Sequence, residues 1–176
     1  MKNIVYFDLE TQKTSAEVGG WDKIRDLRMS IGVTFSTARN RYSIYSESRV
    51  NDLLTELQRA DLVVGFNQLR FDYEVLSYYS PFDLSQVPTL DMLVELQKTL
   101  KHRLSLDALA APFGLEKTAD GLQAVDWFRQ GRLLEIAEYC CYDVKLTKLV
   151  HEYGAANKQL FFHNRFGKMV SVPVSW

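Results

Sequence analysis

Two acidic residues follow a short apolar run near the start of the chain, at positions that suit metal chemistry. Residues 4–7, Ile-Val-Tyr-Phe, are typical of a buried strand, and Asp8 and Glu10 stand at its end. Residues two apart on a strand point to the same side, so the two carboxylates would lie roughly 6 to 7 Å apart along it. Paired carboxylates can share a divalent cation, and their oxygen ligands favour Mg²⁺ or Mn²⁺.

Two later segments carry acids in comparable settings. Residues 62–66 predict a second buried strand, after which Asp72 falls in the first turn of a helix. Tyr139 and Asp143 lie four residues apart in a long predicted helix, so they project from one face of it. Glu74 repeats the Asp-x-Glu spacing after Asp72, but residues two apart on a helix point away from each other. The four acids Asp8, Glu10, Asp72 and Asp143, with Tyr139, are therefore the candidate site.

The order of these residues resembles a known family. Three motifs carry the likeness, namely Asp8-Leu9-Glu10-Thr11, then Gly65-Phe66-Asn67 with Phe71-Asp72, and finally Tyr139 with Asp143. They are similar to the exonuclease motifs of the DnaQ-like 3′–5′ exonuclease superfamily, DEDDy subclass. The subclass with a histidine base would have histidine five residues before Asp143, where this chain has Glu138. The last helix and the tail motif at 164–167 further resemble stand-alone predicted exonucleases of ribonuclease H-like fold.

The resemblance implies a fold and an activity. The fold would be α/β and ribonuclease H-like, with three layers and a mixed β-sheet that carries helices on both faces. The activity would be hydrolysis of phosphodiester bonds at nucleic-acid 3′ ends by a mechanism that uses two Mg²⁺ or Mn²⁺ ions.

The resemblance also implies a role for each site residue. Asp8 would bridge both ions, Glu10 and Asp143 would complete the ion on the water side, and Asp72 would serve the second ion through water. Tyr139 would orient the nucleophile, because a phenol with a pKa of about 10 is a poor base at neutral pH. Leu9 and Thr11 would contact the terminal nucleotide, and Asn67 matches the amide of the second motif.

Hydrophobic periodicity predicts the elements that position these residues. Strands are predicted over residues 3–9, 28–36, 41–46 and 62–66, and helices over residues 50–60, 71–79, 89–100, 105–111, 120–129 and from 131 to about 153. An antiparallel start, then a strand after a helix, predicts a three-layer α/β architecture with a mixed sheet. Residues 1–154 are predicted to form the exonuclease domain, and residues 155–176 a tail that forms a hairpin on the same domain.

Composition limits the class of protein. The 176 residues are 47% hydrophobic and 24% charged, which is typical of a globular protein and excludes disordered, collagen-like and coiled-coil classes. The adjacent Cys140 and Cys141 cannot join distant segments, so we expect free thiols in a reducing compartment, packed on the helix stripe. The first apolar run is too short for a signal peptide, and no run nears the ~18 residues of a membrane span. These features predict a cytoplasmic protein with no membrane partner.

The net charge of the chain is compatible with a nucleic-acid partner. The net charge of −1 argues against a high-affinity coat protein for nucleic acid, but bound cations would cancel the charge of the site acids. We expect single-stranded nucleic acid or 3′ ends, of DNA or RNA, as the partner, and a helicase or polymerase could act beside the chain. The basic run from Lys98 to Arg103 fits a solvated face as well as a phosphate contact. The basic and aromatic residues 158–168 fit a single-strand groove, although a packed hairpin is favoured.

The sequence also leaves open an alternative function that is not enzymatic. The chain could be a catalytically silent nuclease-fold module that binds nucleic acid or a partner enzyme. Shortening of labelled oligonucleotides that depends on a divalent cation distinguishes the enzyme from the binding module.

Overall fold

The structure, a computed structural model, describes residues 2–115 and 119–176. The strands are β1 (Ile4–Thr11), β2 (Met29–Ser36), β3 (Arg41–Ser46), β4 (Leu62–Gly65), β5 (Thr89–Asp91), β6 (Gln159–His163) and β7 (Met169–Pro173). The helices are α1 (Ser15–Val18), α2 (Val50–Gln58), α3 (Asp72–Leu76), α4 (Met92–Leu100), α5 (Leu106–Ala110), α6 (Gly121–Arg129) and α7 (Leu133–Asn157). Short 3-10 segments lie at Trp21–Leu27, Glu47–Arg49, Leu84–Gln86 and Ala111–Phe113.

A five-stranded sheet in the order β3-β2-β1-β4-β5 forms the centre of the fold. β1 pairs antiparallel with β2 and parallel with β4, and β4 pairs parallel with β5. The sheet is therefore mixed, as the sequence predicted. β1 is the middle strand, and Asp8 and Glu10 pair with Val33 and Ile31 of β2, beyond the last β1–β4 pair at Tyr6.

Alternation along β1 divides the core into two clusters. Val5, Phe7 and Leu9 pack on one face with the buried leucines of α2 and α3. Tyr6 packs on the other face, with α4, α5 and α7. This arrangement confirms the predicted three-layer α/β fold with helices on both faces. In the described part of the chain, no helix, not even α7, is both long and apolar enough to cross a bilayer.

The prediction of one helix over residues 89–100 is wrong at its start. Thr89–Asp91 forms β5 on the parallel ladder with β4, and α4 begins at Met92. Asp91 ends the strand and caps the helix, since its carboxylate accepts hydrogen bonds from the N–H groups of Leu93 at 3.0 Å and Val94 at 3.4 Å. The apolar pattern runs unbroken through this junction, so the sequence alone does not show where pairing with β4 replaces helical bonding.

The chain end packs tightly on α7. The helix continues past Gly154, near which the sequence predicted its end, to Asn157, and β6 and β7 then form an antiparallel hairpin. Trp176 donates its indole N–H to the carbonyl of His151 at 3.1 Å and stacks on the His151 ring. A Cβ on Gly154 would lie 2.8 Å from the Trp176 Nε1, so only glycine leaves room for this indole. Glycine at this helical position therefore reflects tail packing rather than a helix end.

We expect the substitution Gly154→Ala to lower the free energy of unfolding by about 1 to 2 kcal/mol, because the new methyl group overlaps the Trp176 ring. In a Trp176→Ala background the same substitution should instead stabilise the helix by roughly 0.5 to 1 kcal/mol, the usual gain over glycine. Urea unfolding of the four proteins of this cycle, followed by circular dichroism, measures both effects. The same sign in both backgrounds would contradict the packing account.

Candidate functional site

Three carboxylates converge between β1 and α7. Asp8 and Glu10 point from β1 toward the helix, and one ligand oxygen from each lies within 4.8 Å of one from Asp143. Glu10 and Asp143 are buried, and Asp8 is partly buried. Burial and the negative charges of Asp72, Asp143 and Glu10 raise the pKa of Asp8 well above its usual range. The three acids thus form a group whose simultaneous ionisation is costly without a cation.

Tyr139 lies one turn of α7 before Asp143, on the same face, as their spacing predicted. Its phenol is buried and hydrogen-bonded to the carboxylate of Asp143. Burial, with the negative charges of Glu10 and Asp143, raises the pKa of the phenol far above its usual range. Tyr139 therefore stays neutral at physiological pH and is unsuited to act as a base.

Asp72 lies beside the three-acid group but outside it. It begins α3 and is buried, and its Oδ1 accepts a hydrogen bond from the N–H group of Leu9 at 3.1 Å. Burial raises the pKa of Asp72 to about 7, a shift that its hydrogen bonds reduce and the charge of Asp91 increases. Glu74 is exposed, which confirms that Asp72 and Glu74 point apart. Of the four predicted metal ligands, the structure brings Asp8, Glu10 and Asp143 together and places Asp72 next to them.

Asp91 is a buried residue that orders the loop before Asp72. The sequence had placed Asp91 in a helix. Asp91 accepts hydrogen bonds from the N–H groups of Asn67 at 2.8 Å and Leu69 at 3.1 Å. Asn67 takes a left-handed backbone conformation, with φ of 67°, and this loop joins β4 to α3. A Cβ on Gly65 would overlap the Gln68 side-chain amide, so glycine leaves room for this buried side chain. Asp91 thus positions the segment that delivers both Asn67 and Asp72.

Cys140 contacts the acids directly, although the sequence indicated only packing. Its thiol donates to the carbonyl of Asp8 at 3.3 Å and to the Asp8 carboxylate at 3.4 Å. Burial and the charge of Asp8 raise the pKa of the thiol, so it stays protonated. Cys140 lies three residues before Asp143 on the same helix, and this spacing was the signal in the sequence that could have placed Cys140 near the acids. Cys140 therefore serves as a donor to Asp8 and is unsuited to be a thiolate ligand.

A cleft of about 590 Å³ opens over these groups. The predicted contact residues Leu9, Thr11 and Asn67 all line it, together with Asp8, Glu10, Asp72, Tyr139 and Asp143. The hydroxyl of Thr11 donates to the carbonyl of Lys13 at 3.1 Å, so it already has a partner within the chain. Sequence reasoning missed other lining residues, Trp21, Leu122 and Val125, because only tertiary packing brings them here.

The carboxylate group fits a hard divalent cation. Its donors are oxygens, the burial of two of the acids disfavours uncompensated charge, and the neighbouring thiol is held protonated. Zinc binds carboxylate oxygens too, but most structural zinc sites include cysteine or histidine, and within residues 2–115 and 119–176 the candidate group contains neither. The donor set therefore matches Mg²⁺ or Mn²⁺ better than softer metals.

Comparison with solved structures identifies similar folds. A zinc-bound complex of Escherichia coli exonuclease I with single-stranded DNA superposes with a TM-score of 0.60 and 14% sequence identity, over 90% of this chain and 41% of that chain. A second exonuclease I structure gives a TM-score of 0.52 and 14% identity, over 90% and 44%. This chain therefore spans less than half the length of these exonuclease I chains. At this identity the likeness establishes the fold.

Comparison of the sequence with known families gives the classification. No curated protein matches the sequence. The model of the RNase_H superfamily matches residues 5–155, a range that contains all four acids and Tyr139. Because this match covers most of the chain, the protein belongs to the RNase_H superfamily.

Proposed function

We propose that this chain is a metal-dependent 3′–5′ exonuclease of the DEDDy subclass that hydrolyses phosphodiester bonds at the 3′ ends of single-stranded DNA or RNA. The observation that carries the proposal is the convergence of Asp8, Glu10 and Asp143 within 4.8 Å of one another, with the neutral phenol of Tyr139 bonded to Asp143. Membership of the RNase_H superfamily and a fold like that of exonuclease I support the proposal.

The acids would hold two Mg²⁺ or Mn²⁺ ions. Asp8 is the central ligand of the proposal, because Glu10, Asp143 and Asp72 all surround it. Asp72 would act through water, which agrees with its place outside the three-acid group. Bound together, two such ions would activate water, stabilise the pentacovalent phosphorus and assist the leaving alkoxide.

The remaining residues would orient the reactants. Tyr139 would hold the attacking water by a hydrogen bond, since a buried neutral phenol is a poor base at neutral pH. Leu9, Thr11 and Asn67 line the cleft in which the terminal nucleotide would lie, and the Leu9 side chain, which is buried in the core, would support it from below. Cys140 would keep the Asp8 carboxylate in place by donating its thiol hydrogen. Each of these groups would act by positioning a reactant or a ligand, and none would transfer a proton in the reaction.

The proposed setting is a cytoplasm in which 3′ ends are exposed. Cys140 and Cys141 are both free thiols, which is the usual state in a reducing compartment. A helicase or polymerase that generates single-stranded 3′ ends would be a suitable partner enzyme.

The deciding experiment incubates the protein with 3′-labelled and 5′-labelled oligonucleotides in Mg²⁺, Mn²⁺ or EDTA. We expect stepwise shortening from the 3′ end that EDTA abolishes. Asp8→Asn should lower the rate by more than the roughly 10- to 100-fold typical of outer-shell groups, because it removes a proposed direct ligand. Asp72→Asn should lower the rate by roughly 10- to 100-fold, because Asp72 would act through water. The matched control is Glu74→Gln, which lies two residues from Asp72 on the exposed side of α3 and should keep full activity. Oligonucleotides that stay intact with every cation would favour the silent binding module.

Tyr139→Phe should lower kcat by roughly 100-fold and leave KM almost unchanged, since the variant keeps the ring and loses the group that orients the water. Steady-state kinetics on a short 5′-labelled oligonucleotide measures both constants. Tyr142→Phe, on the same helix one residue before Asp143, is the control for loss of a phenol. Wild-type kcat in Tyr139→Phe would remove this residue from the mechanism.

Divalent cations should stabilise the protein increasingly as the pH rises. Because the pKa values of Asp8 and Asp72 are raised, the cation-free native state holds protons that the unfolded chain has released. This contribution to stability is present below about pH 4 and is lost as the pH rises through the raised pKa values, of which that of Asp72 is about 7. The loss is on the order of 1.4 kcal/mol per pKa unit. His151, whose pKa is lowered by burial, acts in the opposite sense at acidic pH, equally with and without cation.

The measurement is urea unfolding in EDTA and in Mg²⁺ between about pH 5 and pH 8. The difference between the two free energies of unfolding should grow with pH, and the contribution of His151 cancels in that difference. Asp8→Asn should reduce this growth. A difference independent of pH would contradict the coupling between the acids and the cation.

A further inference from the structure

A second cleft, of about 460 Å³, adjoins the acid cleft. The residues that line it are Trp21, Ile24, Asn67, Arg70, Phe71 and Arg103. Trp21, Asn67 and Phe71 line both clefts, so the two form one continuous surface. A chain-like ligand with its end over Asp8 could therefore extend into the second cleft.

Trp21 presents an aromatic surface that the core does not use. Its side chain is 65% exposed, whereas Ile24 and Leu27 of the same 3-10 segment are buried. The indole lies beside Phe71, with 6.4 Å between ring centroids. An exposed indole has a flat apolar surface on which a nucleobase of any sequence can stack.

Two arginines place positive charge along the same cleft. Arg70 and Arg103 are exposed, and within the described residues neither has a carboxylate within ion-pair distance, whereas Arg28 and Arg129 are held by Glu47 and Glu17. Arg103 lies 3.5 Å from the Asn67 side-chain oxygen, which is long for a hydrogen bond. A free guanidinium suits the oxygens of a phosphate.

Arg103 also connects this cleft to the acids. It lines a further depression together with Asp8, Asn67 and Asp143. A phosphate that approaches the acids would be repelled by their charge, and a neighbouring guanidinium would offset that repulsion. The second cleft has positive charge and an exposed aromatic ring, and it adjoins the cleft lined by acids. These features suit a ligand that is a polyanion and carries planar rings.

We propose that the second cleft binds the nucleotides on the 5′ side of the scissile phosphate, with one unpaired base stacked on Trp21 and backbone phosphates on Arg70 and Arg103. This inference rests on the proposed function, since it places the 3′-terminal nucleotide over the acids. It names the substrate as a single strand of at least three nucleotides rather than a dinucleotide. The basic run at 98–103, for which the sequence left two interpretations open, then contributes Arg103 to phosphate binding.

The test measures binding separately from cleavage. A 5′-fluorescein-labelled pentathymidylate is titrated in EDTA, and fluorescence anisotropy gives its affinity; unlabelled di- and trithymidylate compete for the site. Trp21→Ala should weaken binding of the pentamer about 5- to 150-fold, the equivalent of the ~1 to 3 kcal/mol expected for one stacked base, and leave the dinucleotide unchanged. Trp21→Phe should retain most of the affinity, because it keeps a ring.

The arginines have a distinct signature. Arg70→Ala and Arg103→Ala should each weaken binding and lower the slope of log affinity against log salt by about 0.7, as expected for one lost phosphate contact on a single strand. Arg25→Ala is the matched control, because Arg25 is exposed on the same 3-10 segment as Trp21 and does not line the cleft. It should bind like the wild type. Binding of the pentamer should also quench tryptophan fluorescence in the wild type and much less in Trp21→Phe.

Three results would overturn the inference: no binding of the pentamer to the wild type, wild-type affinity in both Trp21→Ala and Arg103→Ala, or equal weakening of the dinucleotide and the pentamer. The last would show that Trp21 only supports the acid cleft. Failure of the proposed function has a different signature. Binding that depends on Trp21, without shortening under any cation, would retain the second cleft and remove the exonuclease.

Discussion

The concentration of negative charge around Asp8 is the constraint on which the rest of the structure depends. Asp8 points toward α7 from the middle strand of the sheet, where Glu10, Asp143 and Asp72 all surround it. Bringing carboxylates this close in a partly buried site disfavours their ionised forms. The fold must therefore hold the acids in place against their mutual repulsion. In the proposed function, a divalent cation would supply positive charge to this cluster and would thereby couple stability to function.

The scaffold meets this constraint with hydrogen-bond donors from rigid elements. The N–H group of Leu9 binds Asp72, and the thiol of Cys140 binds Asp8. Asp91, itself at the end of β5, fixes the loop that leads to Asp72 through the N–H groups of Asn67 and Leu69. These donors order the carboxylates without adding a positive charge to the cluster. The positive charges of Arg70 and Arg103 lie outside the cluster, along the adjoining cleft, where they can attract a strand without occupying the ligand oxygens.

Local patterns predicted much of the fold and the members of the candidate site. The alternation that ends at Asp8 and Glu10 predicted β1, and the four-residue spacing of Tyr139 and Asp143 predicted a shared helix face. Both follow from backbone geometry, which fixes the direction of side chains within one element. The opposite orientations of Asp72 and Glu74 follow for the same reason. The pattern could not show β5, because three residues form a strand only when a partner such as β4 provides the ladder.

The sequence by itself determined which acids and which phenol are available, and on which face of its own strand or helix each one lies. Only the tertiary structure decided how these faces meet: that Asp72 binds Leu9 beside the three-acid group, that Cys140 donates to Asp8, and that Trp21 and Arg103 adjoin the same surface. The physical reason is range. Periodicity reports contacts within a few residues, whereas the hydrogen bonds of Asp72 to Leu9 and of Cys140 to Asp8 join residues 63 and 132 positions apart in the chain, through packing that no local pattern encodes.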